Sequence, residues 1–327
     1  MDDLKVKPIP AGGGDFSQLG GELITRQATN EDFFIEENPE LYECLQDVID
    51  IHVHIGPDAT RRRRVDALEA AQQAAKVGMK AIVVKNKQYI TTPVAALASR
   101  LIPGVSVFGG VVLDREVGGL NPDVVEMAGK LGTKVVWMAT ETALNDLNKK
   151  RTPLMDRTFH RPIEGITALD EDGKLKAELE VILDIIKDYD MVLATGHFST
   201  KEILVLLKRA KEKKMKRIVV NHPLTISFGP DASISEQKEM ASLGALIEHT
   251  FVPCMPAHDR IDPRKIVEAI NEIGAERTIV SSDFGQYHNP PPVEGMRMII
   301  RTLLGYGITQ AQLDLMLKEN PARLLDL

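Results

Sequence analysis

The hydrophobic positions of the chain change period repeatedly. Short apolar runs rich in Val and Ile alternate with longer stretches, about 10–15 residues each, whose apolar positions recur at helical spacing. Eight runs predict strands: "DVIDIHVHI" from Asp47, "KAIVVK" from Lys80, "VSVFGGVVL" from Val105, "TKVVWMAT" from Thr133, "DMVLATGH" from Asp190, "KRIVVNH" from Lys216, "GALIEHTF" from Gly244 and "ERTIVSSD" from Glu276. Between them, segments such as "RVDALEAAQQAAKVG", "KAELEVILDIIKDY" and "DPRKIVEAINEIG" read as amphipathic helices, several closing on a Gly cap. A further helix follows the eighth strand near Val293 to Leu304. Eight βα units predict a (β/α)8 TIM barrel, a single α/β domain over residues 41–327. A doubly wound sheet is the weaker alternative, since no Gly-rich dinucleotide fingerprint follows the first strand. Residues 1–40, with Gly and Pro and little periodicity, predict an irregular N-terminal extension. The gap from Glu141 to Leu175 predicts an active-site loop.

Barrel enzymes place their chemistry at the C-terminal strand ends. The predicted strand tips carry His52 and His54, Lys85, Glu141, His197, His222, Glu248 with His249, and Asp283. His52 and His54 stand at i and i+2, so a strand directs both to one face. Of eight histidines in the chain, five therefore collect at one end of the barrel, which independent core histidines have no reason to do. Neutral imidazole is the commonest nitrogen ligand for a metal, and this cluster points to one.

Composition narrows the partners. A net charge of −7 argues against a general nucleic-acid surface, and no apolar run approaches the roughly 20 residues of a membrane helix. Two cysteines outside any CxxC motif and a start without a signal-peptide pattern place the chain in the cytoplasm. The expected partner is a small molecule, and the extension offers an arm for homo-oligomer formation. The run Arg61 to Arg64 follows strand one. Most of it reads as a solvated helix start, yet one or two guanidinium groups can form a fork for a carboxylate or phosphate. Arg61, Arg115 and His249 are candidate substrate contacts, and Lys87 a weaker one. Trp137 reads as barrel packing and Cys254 as a structural thiol.

The order HxH, His, His and Asp on strands one, five, six and eight resembles the amidohydrolase superfamily of metal-dependent hydrolases. The ending "ENPARLLDL" is similar to a closing segment common there. The fuller set "HVHIGPD", "GGLNP", "VVWMAT", "TGHFS", "NHP" and "SSDFGQ" resembles an uncharacterised subgroup of it, over about residues 45–327. The resemblance implies that His52, His54 and Asp283 bind a buried metal. His197 and His222 would bind a second metal; in one-metal members His197 is a ligand and His222 contacts substrate or water. Many two-metal members bridge the ions with a carboxylated lysine on strand four, where this chain has none; Lys134 sits at the wrong end of that strand. Glu141 bridging directly, Lys85 bridging after carboxylation, and Lys85 as an ammonium ion beside a single metal remain three open alternatives. Nitrogen and oxygen ligands suit zinc first, with manganese, iron or nickel also compatible. The implied activity is hydrolysis of an amide, lactone or ester bond in a small anionic substrate, with Asp283 as general base and acid. Decarboxylation or hydration at one metal, phosphoester hydrolysis, and non-catalytic metal or metabolite binding are the alternatives.

Overall fold

In the computed structural model, which describes residues 39–149 and 164–327, all eight expected strands form one sheet in chain order. They are β1 (Ile49–His54), β2 (Ala81–Lys85), β3 (Ser106–Val112), β4 (Val135–Trp137), β5 (Val192–Ala194), β6 (Ile218–Val220), β7 (Leu246–Thr250) and β8 (Thr278–Ser281). Each neighbouring pair is parallel. Backbone bonds from His54 N to Phe284 O (2.8 Å) and from Asp283 N to His52 O (3.0 Å) join β1 to the segment leaving β8. The (β/α)8 barrel expected from the hydrophobic pattern is the fold. The expected extension lies almost wholly outside the described residues, as does the centre of the long 141–175 connection.

The helices are α1 (Ala67–Lys76), α2 (Thr92–Leu101), α3 (Pro122–Lys130), α4 (Leu144–Asn148), α5 (Ala177–Asp188), α6 (Thr200–Glu212), α7 (Ile234–Ser242), α8 (Pro263–Ile273), α9 (Pro292–Gly305), α10 (Gln310–Asp314) and α11 (Asn320–Leu325). Local chemistry sets their starts. Asp66, Ser199 and Ser233 each cap a first turn while Glu69, Glu202 and Glu236 reach back to the cap, reciprocal pairs that satisfy otherwise unbonded N–H groups. Helix α5 shows the packing logic: Leu179, Ile182, Leu183 and Ile186 fall on one face and are fully buried. Each such side chain contributes about 1.5–3 kcal/mol by leaving water. None of the described helices is long and apolar enough to cross a membrane.

Two apolar layers fill the space between strands and helices, and a third fills the barrel itself. The inner layer takes Ile49 and Ile51 from β1, Ala81 and Val83 from β2, Trp137 from β4 and Ile279 from β8. Leu324 and Leu325 of α11 close its lower end, while Asn320 donates to Ala275 O and Thr278 O. The "NPARLL" segment is thus the barrel floor. Above it the inner face turns polar, and there the site lies.

Candidate metal centre

Strand β1 has to serve two masters: apolar residues below, imidazoles above. Strict alternation would not permit it, since Ile49 and Ile51 point inward and His52 would then point out. The register to β2 shows how the chain solves this. Ile49 and Asp50 pair with Ala81 and Ile82, but Val53 and His54 pair with Val84 and Lys85, so β1 carries one extra residue between Asp50 and Val53. Such a bulge re-aims side chains. Beyond it Val53 and Ile55 join the outer core, and His52 and His54 face inward beside Lys85.

Asp283 meets them from the opposite edge of the seam. It follows β8 with φ +58°, a left-handed conformation that Asp tolerates better than most residues. Its Oδ1 lies 2.9 Å from His54 Nε2 and 3.3 Å from His52 Nε2. Two features hold this geometry. Buried Asp50 accepts hydrogen bonds from His52 N, Ser282 N and Ser282 Oγ, tying the β1 and β8 tips together. Burial pushes its carboxyl up to about 7 despite those bonds. Gly285, at φ +129°, lets the chain pass so close to β1 that a Cβ there would sit 1.8 Å from His54 O.

Behind the imidazoles stand buried carboxylates. Glu248, inward on β7, faces His52 Nδ1 at 3.2 Å and accepts from Asn221 Nδ2 at 2.7 Å. Asn221 in turn accepts from Gly196 N, linking β5, β6 and β7 in one chain of bonds. Burial would raise Glu248, but His52, His222 and Asn221 bring its carboxyl down to about 2. On the other side, His197 Nδ1 lies 2.9 Å from Asp146 Oδ2, and Asn145 Nδ2 donates to His197 O. The short helix α4 supplies both partners. The His197 and His222 rings are 5.0 Å apart edge to face, and His52 and His222 are 5.8 Å apart. Trp137 makes the base of this space, 5.9 Å from His52 and beneath the Lys85 ammonium.

The expected residues divide into those that converge and those that do not. His52, His54, His197, His222, Lys85 and Asp283 converge. Lys85 Nζ lies 3.0 Å from His52 Nε2, and burial lowers its pKa against the pull of Asp283 and Glu248. Glu141 stands at the rim with both oxygens engaged, paired by Arg61 at 2.6 Å through each guanidinium nitrogen and by Lys87 at 2.5 Å. Arg61 is therefore committed to Glu141 in this state. Arg115 is fixed through its backbone, its N–H donating to Thr142 Oγ1 at 3.1 Å. His249 does not enter the pocket. It follows Glu248 directly on β7, so alternation turns it to the outer side, where it lines a small cavity with Ile266 of α8. Nor is the arginine run a solvated helix start: α1 begins only at Ala67, and Arg63 is buried on Asp58.

Sequence reasoning passed over Asp50, Asp114, Asp146, Asn221 and the role of Glu248. Asp114, fully buried, accepts from the backbone or hydroxyls of Thr140, Glu141 and Thr142 and so shapes the β4 tip. The available signal for several was an acid adjacent to a predicted strand tip.

The donor set fits a divalent cation. Ligand atoms of His52, His54 and Asp283 lie within 4.8 Å of one another. With its Nδ1 facing Glu248, His52 turns its Nε2 lone pair to the centre, and Asp146 does the same for His197; such carboxylate–imidazole pairs orient metal ligands. Burial holds His54 well below its ordinary pKa and His222 down to about 3, so both imidazoles are neutral near pH 7, as ligation requires.

Comparison with known proteins agrees with this frame. The model of a family of unknown function, DUF6282, matches residues 47–248, and the chain belongs to that family. No curated protein matches it in sequence. Among solved structures, an amidohydrolase from Pseudomonas aeruginosa superposes with a TM-score of 0.59 at 16% identity, covering 88% of this chain and 98% of that one. A probable dipeptidase from the same organism gives 0.60 at 11%, covering 89% and 97%. A 2,6-dihydroxybenzoate decarboxylase from Rhizobium gives 0.50 at 11%, covering 86% and 99%. The barrel that the motif resemblance implied is thus the fold of these structures too. At these identities what the structures share with this chain is the barrel.

Proposed function

We propose that the protein is a metal-dependent hydrolase acting on an amide, lactone or ester bond of a small anionic substrate. The observation that carries this reading is the convergence of His52, His54 and Asp283 ligand atoms at the mouth of the barrel. His52, His54 and Asp283 would hold the first cation; His197 and His222 flank the position for a second or for the substrate. A divalent ion there supplies Lewis acidity and a water acidic enough to ionise near pH 7. Zinc is the first candidate for the nitrogen-rich set.

The chain's own groups do the rest. Asp283 is buried beside both histidines, and burial raises its carboxyl against the pull of His52 and Lys85. It takes a proton from the attacking water and returns it to the leaving group. Glu248 and Asp146 fix the tautomers of His52 and His197. Lys87 and Arg61, at the rim on Glu141, are positioned to receive a substrate anion by exchanging partners. Trp137 excludes water from below.

Decarboxylation at one metal is the second reading, favoured by Lys85. Its Nζ at 3.0 Å from His52 Nε2 places a cation where a carboxylated lysine would otherwise bridge, and Glu141 has its oxygens occupied. Metal content per chain, measured on protein purified without chelators, separates the two. Near two ions supports a bridged hydrolytic centre. Near one, with carbon dioxide released from an aromatic or β-keto acid, supports decarboxylation. No ion after reconstitution removes both.

A further inference from the structure

His52 and His197 each rest on a buried carboxylate, but His222 does not: its Nδ1 is buried without a hydrogen-bond partner among the described residues. The same is true of Thr225 Oγ1, His249 Nε2 and Thr250 Oγ1. These four residues, each at most 2% exposed, line one cavity. It offers about 10 Å³ to the centre of a water molecule, close to the roughly 10–15 Å³ that a single water needs. The remaining wall is apolar, with Leu224 and Ile266 among its members.

We infer that this cavity is a binding site for one ordered water, which serves His222 as Glu248 serves His52. The inference deepens the proposed function, since it concerns how a histidine of that site is aimed. The hydrogen-bond count closes. A neutral His222 that presents Nε2 to the centre carries its proton on Nδ1, which needs an acceptor. Water accepts from that N–H and from one threonine hydroxyl, and donates to His249 Nε2 and the other threonine oxygen. Two acceptances and two donations saturate it, and all four buried polar atoms gain a partner. His249, turned away from the pocket, thereby acts on it from behind, and Thr225, Thr250 and His249 are positioning residues. The link is also softer than a carboxylate, since the water is neutral.

A crystal structure of the full chain that resolves ordered solvent tests the first half. One water within hydrogen-bond distance of His222 Nδ1 and of at least two of the other three atoms is expected; a dry cavity, or Nδ1 satisfied by a protein group, overturns the inference. Nitrogen-15 spectra of histidine-labelled, metal-free protein test the second. Wild type should show His222 as the Nδ1–H tautomer with a slowly exchanging proton. Thr250→Val should lose that signal while Thr250→Ser keeps it; a His222 tautomer unchanged in Thr250→Val overturns the positioning role. Circular dichroism confirms that each variant is folded, and Thr225→Val gives an independent second probe. Zinc titration of the same wild-type sample keeps the two readings apart. Failure to bind zinc removes the metal centre while leaving the water site standing, and zinc bound beside a dry cavity does the reverse.

Discussion

The site has two unlike halves. The β1–β8 half gathers three ligand atoms within 4.8 Å, and backbone hydrogen bonds plus Asp50 lock the two strand tips to one another. The β5–β6 half offers two imidazoles 5.0 Å apart, one backed by Asp146 from a short helix and one by no group among the described residues. The first half is assembled by the barrel itself. The second depends on the connection after β4. The difference teaches that the barrel alone can gather a set of candidate ligand atoms, while the neighbouring pair relies on a connecting segment.

The largest effect should come from breaking the first half. His54→Ala removes one of the three proposed ligands, and metal content of the purified variant should fall close to zero. If it stays at the wild-type value, the β1–β8 cluster is not the principal site. Next, Asp283→Asn should lower turnover by roughly 10²–10⁴-fold, the range of a general acid–base group. Thermal unfolding should still be cooperative, which separates chemistry from collapse. In the second half, Asp146→Asn should cost about 10–100-fold in metal affinity or activity, as loss of an orienting carboxylate does. A stoichiometric metal assay sharpens the comparison. If only the weaker of two ions is lost, the halves bind separate ions; if the single ion weakens, His197 shares it.

The smallest effect concerns the rim. Burial alone would raise the Glu141 pKa, but Arg61 and Lys87 hold its carboxyl far below the carboxylate range. A depressed folded pKa gives stability that is fully present above the unfolded value, near 4.5, and is lost as pH falls through the folded one. Glu141→Gln should therefore be about 1–2 kcal/mol less stable than wild type at pH 7. The gap should narrow progressively below pH 4.5 in urea titrations. A gap independent of pH would mean that the ion pairs contribute nothing there.

Much of this molecule was legible in its sequence. The eight strands and most of the helices follow from hydrophobic period, because a parallel strand buried on both faces reads as a continuous apolar run. The histidines stood out because chemistry in a barrel is confined to strand tips. The carboxylates behind them did not. Glu248 touches His52 across 196 residues and Asp146 touches His197 across 51, and no local pattern encodes such pairs. Asp146 was further hidden in a stretch without periodicity that reads simply as loop. His249 is a different case. It adjoins Glu248 on one strand, so only one of the two can face inward, and alternation alone was enough to separate them. The bulge in β1 was illegible, since "DIHVHI" alternates acceptably in either register.

That bulge makes length, rather than composition, the vulnerable property of β1. Ile51 is an ordinary buried aliphatic, and Ile51→Val removes one methylene, with a cost of about 0.5–1.5 kcal/mol. Deleting the residue altogether removes a whole buried side chain and restores strict pairing with β2. Strict alternation from Ile49 then still brings His52 and His54 inward, but the inner layer beneath them loses the Ile51 side chain. Variation in this stretch is therefore freer to exchange aliphatics of similar size than to lose the residue.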